Sequence, residues 1–253
     1  MALNYKSSFL MVIALNLIMI VMFFFFSRMN PDLTIFGIDA SYFEFCIIGL
    51  CLQMVVGTSL GTVCANIYNE ISGGTWSSIL PFFNFLEYSI GTTLAGVFIS
   101  SFSIFIAIGF TYIIAEFFII ISFREIVMIL FLFILILVSH MSISMLFSAF
   151  TIYYQKNSSI VSTLFHLTKT FTGIVFPVSL MTGFPLVIAK SLPLTYGLST
   201  LQSILFSPTI DFNGYMYNCL ILVGLSIIIG LVAWILFSCS LKNAKKHGKG
   251  DWY

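Results

Sequence analysis

The sequence predicts an all-α, polytopic membrane protein with six transmembrane helices and a re-entrant helical segment between the fifth and sixth spans. Three observations predict it. The first is composition: of 253 residues, 60% are hydrophobic and only 8% charged, where a soluble domain carries about 25% charged residues, and the mean hydropathy is +1.10. The second is length. At about 20 residues per crossing, six crossings use about 120 residues, which leaves connections but no sizeable soluble domain. The third is the stretch FTGIVFPVSLMTGFPLVIAKSLPLTYGLSTLQSIL, residues 171–205, apolar yet broken at Pro177, Pro185 and Pro193. Each proline lacks an N–H and disfavours helix in the residue before it. The stretch is therefore not one continuous span, and in hydrocarbon its freed carbonyls must be met by protein or by water in a cavity. The expected arrangement is a span ending near Pro177, then short helical pieces dipping into one membrane face.

The elements follow in order. The first span is 9–26, preceded by eight residues; Ser27-Arg28-Met29 is not a small-x-small cleavage site, so no cleavable signal is expected. A polar connection with Arg28, Pro31, Asp32 and Asp39 leads to the second span, 42–67. A connection rich in glycine, serine and aromatics, 68–87, precedes the third span, 88–115. Arg124-Glu125 marks a surface turn before the fourth span, 126–152. A short polar link precedes the fifth span, 159–177. The broken segment, 178–206, and a loop with Pro208, Asp211 and Gly214 lead to the sixth span, 215–241. The tail from Lys242 holds four lysines. Lys and Arg placement favours both termini inside: Lys6, Lys156, Lys242, Lys245, Lys246 and Lys249 then lie on the inner side, Arg28, Arg124 and Lys190 on the outer, and Lys169 within the membrane.

Several residues carry chemistry. On the second span Gln53, Gly57, Gly61 and Ala65 recur every four residues, a spacing that lets helices approach closely while the amide hydrogen-bonds across. Gly57 to Gly61 also matches G-x-S-x-G around Ser59, but that motif needs a strand-to-helix turn to expose its serine, so a packing ridge is the preferred reading. On the fifth span Ser159, Ser162, His166, Lys169 and Gly173 share a face. A central lysine costs about 2.5–3.5 kcal/mol on insertion scales, so this face is expected to line a water-filled path or a subunit interface. His140, near Ser139, Ser142 and Ser144, gives the fourth span a weaker polar face. The five cysteines match no zinc or disulfide spacing and read as small apolar residues. A net charge of +1 without a clustered basic patch outside the tail argues against nucleic acid. There is no G-x-x-x-x-G-K-[ST] phosphate loop and no H-E-x-x-H, so energy must come from a partner or a gradient.

Two stretches resemble type-2 ABC exporter permeases. FPVSLM followed by LPLTYGLSTLQSIL is similar to that family's passage between its fifth and sixth spans: a Phe-Pro, here Phe176-Pro177, ends the fifth span, and a Leu-Pro-Leu-Thr-Tyr run, here through Pro193 to Tyr196, opens a short helix. The resemblance makes Phe176, Pro177, Pro185, Pro193 and Tyr196 the re-entrant gate. The connection YNEISGGTWSSIL resembles the family's coupling helix, with Glu70 ahead of Gly74, Thr75 and Trp76. That helix docks into a groove on an ATPase subunit. Trp76, Ile79 and Leu80, at i, i+3 and i+4, form one apolar stripe of the kind helix-in-groove recognition uses; by spacing alone it equally suits a helix resting on the membrane interface.

The resemblance covers about 42–241. It implies a single permease domain in the cell membrane, both termini cytoplasmic, paired with a second permease (the same or a related chain) and with ATPase subunits. It implies no cofactor on this chain, ATP and Mg on the partner, and export of an amphipathic drug, peptide, lipid or glycan. One departure is the N-terminus, where residues 1–8, with Lys6 alone basic, are too short for the family's basic amphipathic helix. The rival classes are an intramembrane hydrolase using Ser59 with His140 or His166, and an ATPase-free immunity or scaffold protein.

Overall fold

A computed structural model describes residues 2–29, 41–79, 82, 84–116, 121–154, 170–207 and 211–247. All regular structure among them is helical: α1 (Ala2–Met29), α2 (Tyr42–Ser72), α3 (Trp76–Ile79), α4 (Phe85–Ala115), α5 (Phe123–Tyr154), α6 (Phe184–Ser191), α7 (Pro193–Phe206) and α8 (Phe212–His247), with a 3-10 turn at Val178–Leu180. By length and composition, three helices can cross a membrane: Phe85–Ala115, Phe123–Tyr154 and Phe212–Ala244; Ile13–Met29 and Tyr42–Gly57 are shorter apolar helices. The chain is an all-α membrane protein.

The helices begin and end where local chemistry stops them, beyond the expected spans. Between Ala2 and Met29 there is neither glycine nor proline, so α1 absorbs the residues expected to precede the first span. Ser41 and Glu44 form a capping box at the start of α2, in which each side chain meets the other's backbone N–H. Ser122 and Glu125 do the same for α5, so the acid expected at a surface turn belongs to the helix start. Asn84 accepts from the Leu86 N–H and opens α4 three residues before the expected Tyr88. Asp211 accepts from the Asn213 N–H and opens α8 before Tyr215.

Two contact series fix how the long helices run. Along the α5–α8 seam the Tyr215 hydroxyl donates to the Met128 carbonyl at 3.1 Å, Gly230 sits against Ser142, and Tyr153 shares a cleft with Ser240. These pairs advance together, so α5 and α8 are parallel. Along α2 and α4, Phe85 clusters with Ile71 while Ala107 clusters with Leu50, so those two are antiparallel. The bundle thus has one end where Ser41 and Ser122 cap helices, and an opposite end around Trp76.

Much of the surface is inverted relative to a soluble protein. On α4 the buried face is Ser89, Thr93, Gly96, Ser100, Ser103, Ala107 and Thr111, at spacings of three and four. Phe98, Phe102 and Phe105 point outward, 81%, 65% and 83% exposed. Small residues inside and large apolar ones outside is the pattern of helices packed in lipid, where close backbone approach replaces a hydrophobic drive.

Candidate functional site

At the Trp76 end, the chain turns from α2 into α3. Gly73 ends α2, its N–H donating to the Asn69 carbonyl while the Gly74 N–H donates to that of Ile71. Gly74 follows at φ +72°, a left-handed position that glycine adopts without strain. The Thr75 N–H then donates to the Glu70 carbonyl at 3.1 Å, and its hydroxyl donates to both the Glu70 carbonyl and its carboxylate. Glu70, Gly74 and Thr75 therefore form one closed turn. Their spacing has a local cause: the acid receives the threonine five residues on.

The same turn corrects the expectation for Trp76. It is 1% exposed and packs with Ile67 and Ile71 of α2, Phe85 of α4, and Ala233 and Phe237 of α8. A side chain buried in its own bundle is not a surface anchor for another subunit. Trp76 instead fastens α3 to the bundle and leaves the polar side, Thr75 and Ser78, outward. α3 is a single turn, ending at Ile79, which is half-buried. Leu80 lies outside the described residues.

At the capped end, the proline-broken stretch is ordered by contacts with α2. Thr170 and Phe171 are helical and the helix breaks at Gly173, φ +89°, four residues before the expected stop at Pro177. A Cβ at Gly173 would lie 2.9 Å from Val178 Cγ2, so both conformation and space require glycine there. The freed carbonyl of Val175 accepts from the Tyr42 hydroxyl at 3.0 Å and faces the Cys46 thiol. Ile174 lies so close to Gly49 that an added Cβ would be 3.1 Å from its Cα. Pro177 is buried and Phe176 exposed. Thr170, Phe171, Phe176, Leu180, Met181 and Pro185 line a cavity of about 430 Å³ beside this break.

Pro185 and Pro193 each stand in the first turn of a helix, where a missing N–H costs nothing. The prolines thus divide the stretch into α6 and α7. Leu192 joins them, and two side chains of α7 close the joint: the Thr195 hydroxyl donates to the Ala189 carbonyl at 2.6 Å, and Tyr196 to the Lys190 carbonyl at 3.0 Å. These bonds satisfy carbonyls that a short helix leaves open at its C-terminus. α7 is wedged among three long helices. Leu194 and Leu198 pack with Leu132 and Ile136 of α5 and Leu222 of α8; Asn218 of α8 donates to Thr200 at 2.9 Å; Gln202 donates to the Phe45 carbonyl of α2 at 3.4 Å. Gly197 meets Ile136, thirteen residues from the start of α5 at Phe123, roughly 20 Å along it at 1.5 Å per residue. The α6–α7 joint therefore lies deep in the bundle, and α7 runs back toward the capped end.

Between the two ends lie buried polar groups. Among the described residues Gln53 Nε2 and Oε1 have no hydrogen-bond partner, nor does Thr93 Oγ1. Gln53 is 4% exposed and lies four residues after Gly49 and seven after Cys46, on the face turned toward Ile174 and Val175. Farther along the expected ridge, Gly57 is half-buried and Ala65 is exposed on this chain. The seam with α5 uses Cys64, whose thiol meets Ser144 and Ser148. His140 is buried, its Nδ1 within 2.8 Å of the Ile136 carbonyl, so Nδ1 carries the proton. Ser159, Ser162, His166 and Lys169 lie outside the described residues, as does the side chain of Ser59. No group of His, Cys, Asp and Glu among the described residues is arranged to hold a metal.

Sequence reasoning missed the buried hydroxyl stripe of α4. Its signal was available as Ser, Thr and Gly recurring every three or four residues from Ser89 to Thr111. No family model matches the chain, and no curated protein matches it.

Proposed function

We propose that this chain is the permease subunit of an ATP-driven exporter, moving an amphipathic substrate out of the cell with energy from a separate ATPase subunit. The observation that carries the reading is the helical hairpin α6–α7, in which α7 packs among α2, α5 and α8 and α6 lies on its exposed side. A hairpin entering a bundle halfway plugs one side of a path and leaves the other open, as an exit gate requires. Three further features support it. α5 and α8 run parallel, so an odd number of crossings separates them; α5 ends at the Trp76 end and Ile174 stands at the capped end, as a fifth span would demand. The Glu70–Thr75 turn and α3 form a rigid, partly polar knob at the Trp76 end, placed to receive force from an ATPase. Gln53, buried and without a hydrogen-bond partner among the described residues, is a polar group inside the bundle for cargo to meet when the gate opens.

The test is copurification followed by reconstitution. The tagged chain, extracted in mild detergent from its own cells, is expected to bring down a stoichiometric protein containing a G-x-x-x-x-G-K-[ST] loop. In proteoliposomes holding both, Glu70→Ala should uncouple hydrolysis from transport. Absence of such a partner would overturn the reading in favour of a scaffold.

A further inference from the structure

At the Trp76 end, α5 and α8 part to form a cleft of about 460 Å³, within the range of small-ligand pockets (about 300–1,000 Å³). We infer that this cleft binds one anionic phospholipid, with an acyl chain against Phe150 and Leu236 and the phosphate at Ser240 and Asn243, flanked on one side by Lys242 and Lys246. Four observations converge. The cleft straddles the polarity boundary of α8: Leu231, Trp234 and Ile235 are exposed and apolar, while Lys242 and Lys246 follow within a few residues and are exposed. Ser240 and Asn243 supply hydroxyl and amide groups at its polar edge. Lys246 stands three residues after Asn243 and Lys242 three after Cys239, so each lysine lies one turn from a lining residue, both on the same flank of the stripe. Tyr153 and Tyr154, packed edge to face at 5.0 Å and both exposed, form the other wall, where amphipathic rings favour the headgroup level.

The charge is one-sided. Neither the last three turns of α5 nor those of α8 contain an acidic residue. Among the described residues the acids at this end are on other helices and engaged: Glu70 with Thr75 and Glu87 with Asn84. An apolar trough ending in two cations and two neutral hydrogen-bonding groups matches a phospholipid with net negative charge, since basic pockets between helices select such headgroups. The inference rests on α5 and α8 lying in a membrane, and not on export.

Native mass spectrometry of the purified full chain tests it, with phosphatidylglycerol or phosphatidylcholine of the same acyl chains as probe. The expected result is one retained phosphatidylglycerol per chain, bound at least tenfold tighter than phosphatidylcholine. Lys242→Gln with Lys246→Gln should weaken phosphatidylglycerol by about 25-fold, from about 1 kcal/mol per lysine near the surface, and leave phosphatidylcholine unchanged. The paired Lys→Arg variant should bind as wild type, which separates lost charge from lost fold. Cys239→Trp, filling the cleft, should weaken both lipids. Equal affinity for the two lipids, unchanged binding by the paired Gln variant, or a second copy of the chain in place of the lipid would overturn the assignment. No ATPase is present in the assay, so its failure and that of the export reading are distinguishable.

Discussion

Replacing Gly197 by alanine tests whether α7 is truly seated in the bundle. The new Cβ would stand 2.6 Å from both Cδ1 and Cγ1 of Ile136, about 1 Å inside the usual carbon–carbon contact of ~3.5–4.0 Å. Ile136 has little room to swing away: it is 1% exposed and enclosed by Leu132, Leu194 and Leu198. Overpacking of this kind costs about 1–3 kcal/mol. For a chain of this size that is a fall of about 2–12 °C in thermal midpoint. Tryptophan fluorescence of the purified protein in detergent reads it, at one fixed scan rate because such unfolding is governed by a rate. A second substitution assigns the cause. Ile136→Ala alone should cost about 2–5 kcal/mol for its cavity, while the pair should fall short of the sum by about 1 kcal/mol or more, since the added methyl enters the space vacated. A Gly197→Ala midpoint within about 1 °C of wild type, or strict additivity of the pair, would show that α7 does not rest on α5.

Other expectations follow from the same contacts. Trp76→Ala should destabilise the isolated chain by about 3–5 kcal/mol; an unchanged midpoint, with only ATPase association lost, would return Trp76 to the surface. Gly173→Ala, forced to φ +89° against Val178, should cost about 1–3 kcal/mol, and a neutral effect on the midpoint would mean that helix continues through it. Cysteine placed at Arg124, exposed beside the Ser122 cap, in a cysteine-free chain should react with an impermeant maleimide in intact cells while one at Lys246 should not; the opposite pattern reverses the topology. Lys169→Met should keep insertion and ATPase binding but reduce vesicle transport, and wild-type transport would leave that lysine at a lipid interface.

The helical class was legible because hydrophobicity and length speak directly to it, and the proline positions marked the joints of the broken stretch. What they did not fix was where each piece stops. Pro177 was the expected end of the fifth span, yet the helical turn at Thr170 and Phe171 breaks at Gly173, because a left-handed glycine with Val178 packed over it ends a helix as surely as a proline. Trp76 shows a second limit. Spacing at i, i+3 and i+4 identifies an apolar stripe but not what it faces, and here the bundle itself covers Trp76. The hydroxyl stripe of α4 was missed for a related reason: in lipid the polar and small side turns inward, so a search for apolar faces looks at the wrong side of the helix.

Lys190 draws these features together. Its backbone carbonyl is held by Tyr196, next to Gly197, whose contact with Ile136 lies roughly 20 Å along α5. The ten-residue rise from Ile126 to Ile136 alone covers about half of a 30 Å hydrocarbon core. Lys190 is nevertheless exposed on this chain, at the deep end of a face that carries Phe184 and Val187, 75% and 66% exposed, nearer the capped end. A cation at that depth in lipid costs several kcal/mol, whereas water or a polar partner removes the cost. Under the proposed function the outward face of α6 therefore turns to an aqueous path or to the second permease. The hairpin then has two unlike sides: α7, buried against Ile136 and Leu222, fixes its depth, and α6 brings one positive charge to the middle of the path.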